Sequence, residues 1–80
     1  MAHWPAYMYK QELIELYDFE GHDAEVWATR RGSNGDVYCL RINNIVRDIP
    51  HAITDDDNAI GFIKSWLNDR DSIRREFHIA

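Results

Sequence analysis

VWATRRGSNGDVYCLRI, residues 26–42, contains an Asn-Gly pair at positions 34 and 35 between two runs of strand-forming residues. A two-residue hairpin loop needs positive φ at both positions, and Asn-Gly adopts that conformation at low cost. The stretch therefore predicts a β-hairpin with Asn34 and Gly35 at its tip.

This tip sets which side chains of the hairpin share a face, because side chains alternate along a strand. The predicted cross-strand pairs are Thr29 with Leu40, Trp27 with Ile42 and Arg31 with Tyr38. The predicted core face carries Trp27, Thr29, Tyr38, Leu40 and Ile42. The predicted outer face carries Val26, Ala28, Arg30, Val37, Cys39 and Arg41.

A third strand is predicted over Ile45–Ile49, after a second tight turn at Asn43-Asn44, because Asn tolerates the left-handed region. The predicted pairs are Ile45 with Ile42 and Ile49 with Tyr38. Arg47 then falls on the core face.

A helix is predicted from Asp55 to Leu67, with Thr54 as its N-cap. The side chain of Asp57 is expected to reach back to the backbone of this cap, in the pattern Thr-x-x-Asp. Carboxylates in the first turn suit the helix dipole. Its apolar stripe should cover the sheet and consists of Ala59, Ile60, Phe62, Ile63, Trp66 and Leu67. A short final helix is predicted over Ser72–His78, with Arg74 and Arg75 exposed.

The segment Tyr7–Asp18 fits two structures. Tyr9, Leu13, Leu16 and Tyr17 recur at helical spacing, which favours a helix. A strand is the alternative, in which a loop at 20–23 pairs Leu16 with Trp27 and Ile14 with Thr29 and sets Asp18 beside Glu25, a pair of like charges. The sequence thus predicts a single α+β domain with a three-stranded antiparallel meander, or a four-stranded one if this segment is a strand.

Composition limits the function classes. The chain has 80 residues and a net charge of −5, and this acidity argues against neutralising nucleic-acid phosphates. Cys39 is the single cysteine, so we expect a packed, inert thiol and no disulfide. The N-terminus lacks the pattern of a signal peptide, and no apolar run could span a bilayer. We therefore expect a soluble, cytoplasmic protein.

No motif of catalysis or metal binding stands out. Helix capping explains Asp55, Asp56 and Asp57, whereas a calcium loop needs alternating ligands and a Gly-bearing turn. The four histidines lie far apart in the sequence, and neither a nucleophile elbow nor a Walker loop occurs. We expect a protein that is not an enzyme and has no cofactor or metal.

Two sets of residues are candidates for binding a partner protein. The first is acidic and suits a partner with a basic surface; it consists of Asp55, Asp56, Asp57, Asp69 and Asp71. The second is aromatic and lies at the N-terminus, where it could close the core, cover the outer sheet face or anchor an interface; it includes Trp4, Tyr7 and Tyr9 with His3 and Met8.

The predicted order α-β-β-β-α resembles that of the double-stranded RNA-binding domain. Those domains use a lysine-rich start of the last helix to hold the RNA backbone. Here the corresponding turn is Thr54-Asp55-Asp56-Asp57-Asn58, whose carboxylates would repel phosphate. The comparison argues against RNA binding at this surface.

The meander from Ala24 to Ile49 and the helix from Asp55 to Leu67, in a small acidic chain, resemble phage-encoded inhibitors of host defence such as anti-CRISPR proteins. The resemblance implies an inhibitor that docks on a nuclease or surveillance complex in the host cytoplasm and blocks its nucleic-acid path or a recruitment site.

Two other functions stay open. One is a homodimeric regulatory or assembly module that uses the sheet edge or Val26, Ala28 and Val37. The other is a nucleic-acid-binding domain whose contacts are Arg30, Arg31 and Arg41, together with Arg74 and Arg75.

Overall fold

A computed structural model describes residues 9–80. Four strands form one antiparallel sheet in the order β1-β2-β3-β4, and two helices follow. The elements are β1 Lys10–Phe19, β2 His22–Arg30, β3 Val37–Ile42, β4 Ile45–Asp48, α1 Asp56–Asn68 and α2 Arg70–Glu76. The α+β class is confirmed, and the sheet is the four-stranded form.

Both helices pack on one face of the sheet and enclose a single apolar core. β2 and β3 contribute buried side chains at alternate positions, β1 contributes Phe19, and each helix contributes one apolar stripe. The fully buried side chains of β2 are small, which lets the helices approach the sheet closely. The core consists of Phe19, Ala24, Val26, Ala28, Tyr38, Leu40, Ile42, Ile49, Ala59, Ile63, Ile73 and Phe77.

The predicted N-terminal helix over Tyr7–Asp18 is wrong, because the described part of this segment is strand β1. A tight turn at Glu20-Gly21, both with positive φ, joins β1 to β2. Leu16 pairs with Glu25, whereas the strand alternative paired it with Trp27, so the register differs by two residues. A shift of two residues leaves Leu16 on the same face of the sheet as Trp27. Tyr7 itself lies outside the described residues.

A β-bulge interrupts β1 at Ile14, between the pairs Leu13–Trp27 and Glu15–Val26. The extra residue turns its side chain towards the core, where Ile14 packs against the buried cluster. Leu13 and Leu16 consequently lie on the same outer face although they are three residues apart.

The register predicted for the β2–β3 hairpin is wrong by three residues. Thr29 pairs with Val37, and Trp27 pairs with Cys39. Gly32 and Gly35 carry the positive φ values, and a 3₁₀ turn over Gly32–Asn34 replaces the two-residue Asn-Gly loop.

An odd shift moves every side chain of one strand to the other face. Trp27 and Thr29 therefore lie on the outer face, whereas Val26 and Ala28 are buried under the helices. Arg30, predicted on the outer face, lies on the helix side of the sheet. The apolar outer patch predicted from Val26, Ala28 and Val37 does not exist, because only Val37 is on that face.

The turn at Asn43-Asn44 is confirmed, with φ values of 54° and 65°. Ile42 pairs with Ile45 as predicted, and the backbone N–H of Ile49 donates to the carbonyl of Tyr38 at 3.1 Å. Arg47 lies at the margin of the core face, and its Nε is 3.4 Å from Glu76 of α2.

The helices begin close to their predicted positions. Asp55, rather than Thr54, caps α1 by accepting the backbone N–H of Asn58 at 3.1 Å. Asp69 caps α2 by accepting the N–H of Ser72. The order is thus β-β-β-β-α-α, and the order α-β-β-β-α shared with the double-stranded RNA-binding domain is wrong.

The core position Ile63 gives a direct test of this packing. Ile63→Ala should lower the free energy of unfolding by about 2–5 kcal/mol, because the side chain is fully buried and its loss leaves a cavity. Phe62→Ala is the matched control on the same helix turn, where the ring is 39% exposed, and should cost clearly less. Urea unfolding measures both; equal losses would contradict the packing described.

Candidate functional site

Arg30, a candidate nucleic-acid contact, lies at the centre of an internal ion cluster. Its guanidinium donates to Asp56 through two nitrogens, at 2.7 and 3.1 Å. It also donates to Asp36 at 2.9 Å and to Glu12 at 3.1 Å. Three carboxylates from β1, the β2–β3 loop and α1 therefore hold one cation in place, and this raises the pKa of Arg30.

Tyr38 completes this cluster from inside the core. Its hydroxyl donates to Oδ1 of Asp56 at 2.6 Å. Hydrogen bonds from Arg30, and then from Tyr38, hold the pKa of the Asp56 carboxyl at about 2. Burial, followed by the bond to Asp56, raises the pKa of Tyr38 to about 12. Asp56 thus fastens the start of α1 to the sheet.

Three of the four remaining predicted nucleic-acid contacts, Arg31, Arg41 and Arg74, are also engaged within the chain. Arg31 folds back on its own loop and donates to the carbonyls of Gly35 and Asn34, at 2.9 and 3.2 Å. Arg41 donates to Asn44 at 2.9 Å. Arg74 reaches Glu20 at 2.6 Å, and Arg75 is exposed. These arginines do not come together on one surface.

The predicted acidic set is divided by the fold. Asp55 and Asp69 cap helices, and Asp56 belongs to the ion cluster of Arg30. Asp57 and Asp71 are exposed, and Asp71 lies 3.4 Å from Arg74. Of this set, only Asp57 and Asp71 neither cap a helix nor belong to the ion cluster of Arg30.

The aromatic candidates lie at the border of the described residues. Trp4 and Tyr7 fall outside them. Tyr9 is half-buried, immediately before β1.

A broader surface emerges on the outer face of the sheet, which no helix among residues 9–80 covers. The pairing of the strands arranges its side chains in three rows. We define the outer face by these rows, which are Gln11-Thr29-Val37, Leu13-Trp27-Cys39-Asp48 and Leu16-Glu25-Arg41-Val46.

This face is unusually apolar for a surface. Leu13, Leu16 and Val46 are 44%, 55% and 49% exposed, and Phe62 is the only other large hydrophobic residue exposed to this degree among residues 9–80. Trp27 lies at the centre, between Leu13 and Cys39. A contiguous apolar surface with an aromatic centre is typical of protein interfaces.

Acidic side chains lie next to the apolar residues of this face at the β1–β2 turn, on β2 and on the β4 edge. Asp18 and Asp23 face each other beside the β1–β2 turn, and Asp48 follows on the far edge. Glu25 accepts a hydrogen bond from the indole N–H of Trp27 at 2.7 Å, which fixes the orientation of the ring. Arg41 is the single cation in the three rows.

Cys39 is half-buried within this face. Burial, and then the nearby Asp48, raises the pKa of its thiol. A raised thiol pKa lowers the fraction of the reactive thiolate, and the inert cysteine stays a prediction.

Sequence reasoning missed the outer face because it assigned Trp27 to the core. The available signal was the alternation of small residues at Ala24, Val26 and Ala28, which suits a strand lying directly under a helix. The exposed residues of β1 were missed for a different reason, because that segment was assigned to a helix.

Neither helix is long and apolar enough to cross a membrane, within the part of the chain that the structure describes. No group of three metal-ligating side chains comes together among residues 9–80. Searches against protein families, curated proteins and solved structures found no match to this chain.

The ion cluster of Arg30 predicts a defined acid dependence. A carboxyl whose folded pKa is depressed stabilises the fold above its unfolded pKa of about 4 and loses that contribution as the pH falls towards 2. Asp56→Asn should be less stable than the wild type at pH 7 by roughly 1 kcal/mol, a figure discounted because the side chain is 43% exposed. The difference should narrow between pH 4 and pH 2.

Thermal unfolding across this pH range measures the effect. Asp57→Asn is the matched control, because Asp57 lies in the same first turn of α1 and makes no ion pair with residues 9–80. It should lose less stability at pH 7 than Asp56→Asn does. A constant difference between Asp56→Asn and the wild type at all pH values would contradict the assignment.

Proposed function

We propose that the protein is a non-enzymatic protein-binding module that uses the outer face of its sheet to dock on a partner with a basic surface. The observation that supports this most directly is the combination of exposed apolar side chains with neighbouring acidic residues on one face of the sheet. Apolar centres supply affinity, and rim charges steer association and select the partner.

Charge favours a foreign partner over a second copy of the chain. The rows of the outer face and the adjacent turn carry Asp18, Asp23, Glu25 and Asp48 against Arg41. Two such faces would bring like charges together, which costs several kcal/mol for close pairs. A partner rich in Lys and Arg would instead neutralise these acidic residues.

Basic protein surfaces commonly serve to bind nucleic acid. A module that covers one would block the nucleic-acid path by occlusion, without chemistry. This mechanism is the one that the resemblance to anti-CRISPR proteins implies, with docking on a host nucleoprotein or defence complex in the cytoplasm. The engaged state of Arg30 and Arg31 favours this function over direct nucleic-acid binding.

The proposal is tested by affinity capture from a host lysate with surface variants. Leu13→Ser with Val46→Ser should weaken capture of the partner at least about tenfold, since both are exposed apolar side chains of the outer face. Asp48→Lys should slow association and reduce its dependence on salt.

The matched control is Asp57→Lys with Asp71→Lys, which changes exposed acids on the helix side and leaves the ion cluster of Arg30 intact. It should capture the same partner as the wild type. If this control loses the partner while the Leu13/Val46 variant keeps it, the helix side binds and the outer-face proposal is overturned. Retention of labelled DNA or RNA by the purified protein would instead favour nucleic-acid binding.

A further inference from the structure

A concave surface lies between the edge strand β4 and the two helices. It is an open groove of about 540 Å³. Its lining consists of Arg47, Asp48, Pro50, Phe62, Ser65, Trp66, Asp69 and Glu76.

Aromatic rings provide the apolar part of this groove. The rings of Phe62 and Trp66 lie edge to face with centroids 6.3 Å apart. Trp66 is held from behind by Phe77, at 5.6 Å, and by a hydrogen bond from its indole N–H to Ser72 at 3.1 Å. The indole is therefore fixed in place, while Phe62 is 39% exposed.

The charged part of the lining is mostly negative. Asp48, Asp69 and Glu76 contribute three carboxylates, against the single guanidinium of Arg47. Arg47 lies 3.4 Å from Glu76, so its charge is already matched within the groove. His51 is 3.9 Å from Asp48 and adds positive charge only when protonated. Two carboxylates are thus left without a cation among the lining residues.

Fixed aromatic rings beside uncompensated carboxylates form an environment that suits a guanidinium group. Such a group stacks on aromatic faces and pairs with carboxylates through several donors at once. The protein uses this same combination internally. The guanidinium of Arg70 lies 5.8 Å from the centre of the Phe19 ring and donates to Glu20 at 2.7 Å.

We infer that this groove is a docking site for an arginine side chain presented by a partner protein. The groove shares Asp48 with the outer face, but its aromatic walls, Phe62 and Trp66, belong to α1. The inference does not depend on the function proposed for the outer face. A protein with both surfaces holds its partner, or two partners, at two separate places.

The test uses short peptides and the indole N–H resonances of the protein. Acetyl-Ala-Arg-Ala-amide, added to the full chain labelled with ¹⁵N, should shift the Trp66 indole resonance saturably. The Trp27 indole, on the opposite face, should stay unchanged and serves as an internal reference. The same peptide with Gln in place of Arg should give no saturable shift.

Two variants examine the chemistry of the groove. Phe62→Ala should weaken binding of the arginine peptide about threefold, because one aromatic wall is lost. Glu76→Gln should weaken it further, since Arg47 then loses its carboxylate and repels the peptide. Leu16→Ala, an exposed change on the outer face, is the matched control and should bind as the wild type does.

The inference is overturned if the Trp66 resonance does not respond, or if it responds equally to the Gln peptide. An equal response to a Lys peptide would overturn the assignment of a guanidinium. Partner capture through the outer face is a separate measurement, so that loss of the Trp66 response leaves the proposed function standing.

Discussion

The contact between Arg30 and Asp56 links three features of the fold: the shape of the β2–β3 turn, the register of β2 against β3, and the docking of α1. Arg30 reaches Asp56 from the helix side of the sheet, where the register that pairs Thr29 with Val37 places it. That register requires the longer loop with its 3₁₀ turn, and Asp36 in this loop binds the same guanidinium. The shape of the turn, the orientation of β2 and the docking of α1 therefore depend on one another.

Features that depend on neighbouring residues could be predicted from the sequence. Local backbone preferences and residue spacing predict the Asn43-Asn44 turn, strand β4 and the capped helix α1 with its apolar stripe. The turn at 31–36 could not be predicted in this way, because Gly32, Asn34 and Gly35 all accept unusual φ values. The contact between Arg30 and Asp56, which lies 26 positions further along the chain, favours one of the possible turns.

The first strand was mistaken for a helix for a physical reason. A bulge at Ile14 adds one residue, so that Leu13 and Leu16 share a face at a spacing of three. This spacing imitates a helical repeat. An edge strand exposed along much of its length also lacks the clear alternation that marks a buried one. The outer face could not be predicted, because its residues follow only from the correct β2–β3 register and from the assignment of residues 10–19 to a strand.

The bulge also bears on how the protein behaves at high concentration. An open edge strand with exposed leucines is a template for stacking of further copies into fibrils. The extra residue at Ile14 twists the edge away from a flat strand, and Glu12 and Glu15 add negative charge along it. A second molecule that pairs with this edge would lose hydrogen-bond register at Ile14, which disfavours stacking of copies along the strand.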